Sequence, residues 1–136
     1  MSLTVDSTFE SSSVLPLVLA VDDNEDNLVL IAFTLELFGY RYITAINGQT
    51  ALAAAQNEQP DLILLDIMLP DLDGIEIIRR LKQNPKTQSI PIVAVTALAR
   101  REDRERLIRA GCDGYISKPY IVDENQSMLN SFWDRY

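Results

Sequence analysis

Five times along this chain a short strand-forming run is followed by a stretch with helical spacing, and this alternation limits the fold more than any other feature. The runs cover residues 17–21, 40–45, 62–65, 90–96 and 114–117. Helical spacing covers residues 26–38, halted by Gly39, 48–59, ended before Pro60, 74–84, ended before Pro85, and 101–110, with Gly111 just past its end. A last helix is expected to begin at Asp123, where Gln126 completes a capping-box spacing. Strict strand–helix alternation implies a parallel sheet with helices on both faces. Runs one, three and four are continuously apolar and belong in the centre, whereas run two alternates and run five is short, as edge strands do. The expected fold is therefore α/β: a doubly wound, five-stranded parallel sheet of order 2-1-3-4-5, the flavodoxin-like (βα)5 arrangement. Residues 15–136 form one domain in this reading, with residues 1–14, polar and Ser-rich, as a flexible tail.

Composition narrows the function. Hydrophobic residues make up 47%, enough for a real core. The net charge of −8 argues against nucleic acid as a partner, since a phosphate backbone requires a basic face. No apolar run reaches the roughly 18 residues of a membrane span, so no membrane partner is expected. A single cysteine, Cys112, is read as a small core residue, and a reducing cytoplasm follows as the expected location. Histidine is absent, which removes histidine ligands, bases and a phosphohistidine from this chain.

The charged residues gather where such a sheet binds ligands, beyond the carboxyl ends of its strands at the point where strand order reverses. Asp22 and Asp23 close strand one and Asp66 closes strand three. Adjacent strands lie roughly 4.8 Å apart, so three carboxylates should converge on one rim. Three close anions are costly without a cation, and Mg²⁺ suits them because it binds one or two carboxylates while favouring phosphate as a further ligand. Thr96 closes strand four with a hydroxyl and Lys118 closes strand five with an ammonium. Acids, metal, hydroxyl and ammonium together serve phosphoryl transfer.

Other motifs fail on spacing. From Asp22 the pattern D-x-N-x-D opens like a calcium loop, but Asn27 stands where glycine is needed and Phe33 where glutamate is needed. "DLDG" at 71–74 has the letters of a haloacid-dehalogenase-type phosphatase motif, yet Pro70 separates it from the strand. Helix four carries Arg100, Arg101, Arg104, Arg106 and Arg109, interleaved with Glu102, Asp103 and Glu105, and reads as a solvated face.

"VDDN" (21–24), "LILLDIMLPDLDG" (62–74), "VTALA" (95–99) and "GYISKP" (114–119) together resemble the response-regulator receiver domain of bacterial two-component signalling, closest to its stand-alone, single-domain type and to the receivers of hybrid kinases. The resemblance implies a signalling phosphoacceptor rather than an enzyme acting on a separate substrate. Its phosphoryl group comes from a histidine kinase or phosphotransfer protein. By position Asp66 would be the acceptor. Asp23, Asp66 and the backbone carbonyl of Met68 would bind Mg²⁺, Asp22 would act through water, and Lys118 would pair with the phosphoryl group. Thr96 and Tyr115 would form the conformational switch, and a downstream protein target would read it. The alternative is a pseudo-receiver, an interaction module that is never phosphorylated. In the family, the residues two beyond the acceptor and two beyond the switch threonine flank the attacking water. Here these are Met68 and Leu98, and neither can orient or deprotonate water.

Helix one offers a docking surface in this reading, the alternatives being a more deeply buried helix or a homodimer interface. With Leu30, Ile31, Leu35 and Phe38 as the core face, Leu28, Val29, Phe33 and Leu37 lie outside, with Ala32 among them. A contiguous apolar patch marks a contact, and this one borders the acidic rim.

Overall fold

A computed structural model describes residues 15–96 and 101–117. Its elements alternate as β1 (Leu17–Val21), α1 (Glu25–Leu37), β2 (Arg41–Ala45), α2 (Gly48–Glu58), β3 (Leu62–Asp66), α3 (Gly74–Gln83), β4 (Ile92–Thr96), α4 (Arg101–Ala110) and β5 (Gly114–Ser117). All strand pairs are parallel and the order is β2-β1-β3-β4-β5, as the apolar runs require. The expected tail, the helix from Asp123, Leu98 and Lys118 lie outside the described residues.

The three central strands are buried on both faces because their side chains alternate between two cores. Leu19, Val21, Ile63, Leu65, Ile92 and Ala94 face one core, with Ala51 and Ala55 of α2, Ile77, Ile78 and Leu81 of α3 and Leu107 of α4. Val18, Ala20, Leu62, Leu64, Val93 and Val95 face the other, with Leu28, Ile31 and Leu35 of α1. Burying each large aliphatic side chain contributes about 1.5–3 kcal/mol, so the central strands are fixed in register and their ends are fixed in place. Cys112 is buried, as read, and burial raises its thiol above the ordinary value. Among the described residues no helix is long and apolar enough to cross a membrane.

The phase of α1 corrects the sequence reading. Leu28 is buried at 7% exposure and belongs to the core, while Leu30, expected inside, is 42% exposed. Thr34 takes the remaining core position. Its hydroxyl donates to the Leu30 carbonyl at 2.9 Å, which satisfies the polar group and lets a threonine lie inside. The outer face of α1 is then Val29, Leu30, Phe33 and Leu37.

Candidate functional site

The register of β1 and β3 pairs Val21 with Leu65, so the residues that follow meet at one rim. Asp22 is fully buried, Asp66 is 2% exposed and Asp23 is exposed. One carboxylate oxygen from each lies within 4.8 Å of the other two, the one such acidic group among the described residues. Buried carboxylates need donors, and the local chain supplies them. The Asn24 N–H donates to Asp22 Oδ1 at 2.9 Å and Asn27 Nδ2 donates to Asp22 Oδ2 at 3.2 Å. The Met68 N–H donates to Asp66 Oδ1 at 3.0 Å. Asn24 also caps α1, its side chain accepting from the Asn27 N–H at 3.1 Å. "DDNEDN" therefore joins the first turn of α1 to the acids. Asn27 escaped the sequence reading; the only signal was its polarity one turn beyond Asp22.

The loop after Asp66 is pinned at two points. Asp73 caps α3, accepting from the Ile75 N–H at 2.9 Å. Asp71 reaches across to α2 and accepts from the Gly48 and Gln49 N–H groups at 2.7 and 3.0 Å. The Gly48 bond, helped by that to Gln49, holds the Asp71 carboxyl below the ordinary value. Gly48 permits the approach, since a Cβ there would lie 2.9 Å from Leu72 Cβ. The two acids of "DLDG" thus act as helix caps, the second of them local and the first remote. Between this loop and α4 opens a cleft of about 520 Å³, bordered by Asp23, Met68, Asp103, Arg106 and others. Met68 itself is 66% exposed.

Across the sheet, Thr96 ends β4 one residue beyond Val95, the partner of Asp66, and is 1% exposed. Tyr115 of β5 pairs with Ala94 and is half-buried. The sequence reading placed every arginine of α4 on a solvated face, yet Arg104 is half-buried. Its Nη1 donates to the Tyr115 hydroxyl at 3.0 Å, and its guanidinium carbon lies 5.3 Å from the ring centroid. On α1, Val29 at 69%, Phe33 at 58% and Leu37 at 60% exposure follow one another at four-residue spacing, so they form one stripe with Leu30 beside it.

The donor set at the rim is entirely carboxylate. Hard oxygen donors in this number fit a hard divalent cation such as Mg²⁺, with room for water or phosphate oxygens to complete its shell.

Comparison with known proteins agrees with this geometry. Residues 18–130 match the family described as the response regulator receiver domain. The polar-differentiation response regulator DivK of Brucella anthropi is 42% identical over 115 residues, covering 85% of this chain and 94% of that protein. The chemotaxis response regulator CheY4 of Vibrio cholerae superposes with a TM-score of 0.83 at 28% identity, covering 87% of this chain and 98% of that one. The receiver domain of sensor histidine kinase PA1611 from Pseudomonas aeruginosa, with a magnesium ion in its active-site cleft, superposes at 0.80 with 34% identity over 87% of this chain and 97% of that one. With the strand order, the acidic rim and the motif set already in place, the family match leaves one conclusion: this chain belongs to the response regulator receiver domain family.

Proposed function

We propose that Asp66 accepts a phosphoryl group from a histidine of a kinase or phosphotransfer protein in the cytoplasm, and that the resulting change of shape is read by a downstream protein. The observation that carries this is the convergence of Asp22, Asp23 and Asp66 at the end of the central strands, with Asp66 in the strand itself. In the transfer the donor's N–P bond breaks and an O–P bond forms at the Asp66 carboxylate. Asp23, Asp66 and the Met68 carbonyl would hold Mg²⁺. Asp22 would act through water, which suits a carboxylate whose two oxygens already accept hydrogen bonds at the start of α1. When bound, the ion neutralises charge that builds on the transferring oxygens. Lys118 would pair with the phosphoryl group, and the Thr96 hydroxyl would move to bond it, drawing Tyr115 after it.

The phosphodonor docks on α1 in this reading. Its exposed stripe of Val29, Leu30, Phe33 and Leu37 begins one turn from the acids, and the donor's histidine must reach Asp66. Leu28 drops out of that surface because it is buried.

A small acyl-phosphate donor with Mg²⁺ should label the parent protein, and Asp66→Asn or chelation should abolish labelling. Full-rate labelling of Asp66→Asn, or none in the parent, would refute the proposal, the second outcome favouring a pseudo-receiver. Self-dephosphorylation should be slow, because Met68 and Leu98 offer water neither an amide nor an acid. Met68→Asn combined with Leu98→Glu should accelerate the loss. Equal rates in parent and double variant would contradict this.

A further inference from the structure

The contact between Arg104 and Tyr115 joins α4 to β5. Along β4 and β5 the registers Ala94↔Tyr115 and Thr96↔Ser117 place Tyr115 and Thr96 on the same face of the sheet, because side chains alternate with a period of two. That face also receives α4, through Leu107, the one buried residue of the helix. Arg104 lies one turn before Leu107, on the same side of α4. It holds the tyrosine twice, by the hydrogen bond to the hydroxyl and by the guanidinium over the ring. Lysine could make the first contact or the second, but only a planar, forked cation makes both at once.

We infer that Arg104 is a latch on Tyr115, a positioning residue that holds the ring in its present half-buried place and raises the threshold for switching. The inference rests on the reading of Thr96 and Tyr115 as the switch. If the ring follows the Thr96 hydroxyl toward a phosphoryl group on Asp66, its hydroxyl leaves Nη1 and its face leaves the guanidinium. Both contacts therefore stabilise only the unphosphorylated arrangement. A ligand shifts an equilibrium by its differential affinity, so removing the latch lowers the amount of activator needed. The loss also removes one of the contacts of α4 with the sheet and leaves Leu107 and Ala110 against the core.

The test uses the full chain with ¹³C-labelled tyrosine, the Tyr115 ring signals being assigned through Tyr115→Phe. Without any ligand, Arg104→Met should move the ring signals toward those of the protein saturated with beryllium fluoride and Mg²⁺, a mimic of the acyl phosphate. In a titration with that mimic the midpoint should fall by about tenfold, the scale of one hydrogen bond with one partly solvated cation–π contact. Arg104→Lys should fall between parent and Arg104→Met in both readouts. Ring signals unchanged in ligand-free Arg104→Met would overturn the latch. A released ring with an unchanged or raised midpoint would overturn its bearing on the switch. A parent protein that does not titrate at all would refute the Asp66 reading and the regulatory role with it, while the ligand-free comparison would still decide whether the latch exists.

Discussion

Helices α1 and α4 lie against the same sheet and solve opposite problems. α1 buries Leu28, Ile31, Thr34 and Leu35 and still shows Val29, Leu30, Phe33 and Leu37 to solvent. α4 buries only Leu107 and shows mostly charge: Arg101, Glu102, Glu105, Arg106 and Arg109 are all exposed. A helix held by four buried side chains stays in place and offers a rigid apolar face, suited to a docking partner. A helix held by one fully buried side chain, with Ala110 partly buried and Arg104 on Tyr115, should shift at lower cost, which would suit it to reporting a change at the strand ends. In the proposed function, input and output would be separated by how firmly each helix is attached, as well as by where it lies.

Stability is the sharpest way to break this comparison. Leu35→Ala should cost about 2–5 kcal/mol of global stability, since its site is fully enclosed in the core. Amides of α1 should exchange with solvent only through global unfolding, whereas those of α4 should exchange through a cheaper local opening. Denaturant-dependent hydrogen exchange reads both, and equal opening free energies for the two helices would remove the distinction.

The next effect is on the donor side. Val29→Glu combined with Phe33→Lys changes two exposed side chains, so the fold should survive. Phosphorylation by a small-molecule donor should be nearly unchanged, while transfer from the cognate kinase should fall at least tenfold, about 1.4 kcal/mol in the transition state. Untouched kinase transfer, or equal failure of both donors, would show that α1 is not the docking surface.

The smallest effect concerns the loop between the two regions. Asp71 is more acidic in the folded chain than its ordinary value of 3.8, chiefly through the Gly48 N–H. A group whose folded pKa is lowered adds stability above its unfolded pKa and loses it as pH falls through the folded value. Asp71→Ala should therefore destabilise the protein near neutral pH, and the gap from the parent should close as pH drops below about 4. A gap that is constant from pH 7 to pH 3 would mean that the Asp71 charge contributes nothing.

The parts of this molecule that follow from local pattern were legible in the sequence. The apolar runs gave strand order, because continuous and alternating runs report burial on two faces or one. The acids at strand ends gave the rim, because strand order decides which ends are neighbours. The phase of α1 was hidden because apolar residues occupy nearly every side of the helix, so periodicity could not choose between Leu28 and Leu30 for the core. A buried Thr34 satisfied by its own helix settled the choice. Asp71 and Arg104 were illegible for a different reason: each acts on a residue of another element, 23 positions away for Gly48 and 11 for Tyr115. Among many charges on a surface, nothing local distinguishes the one that turns inward.

The central claim is that the rim receives a phosphoryl group on one particular carboxylate. An acyl phosphate of aspartate is reduced by borohydride to homoserine, whereas a free carboxylate is not. Phosphorylating the protein with a small acyl-phosphate donor and Mg²⁺, reducing it and sequencing its peptides by mass spectrometry should show homoserine at position 66 and aspartate at 22 and 23. Homoserine at 22, 23 or elsewhere with aspartate intact at 66, or no homoserine at all, would contradict the account.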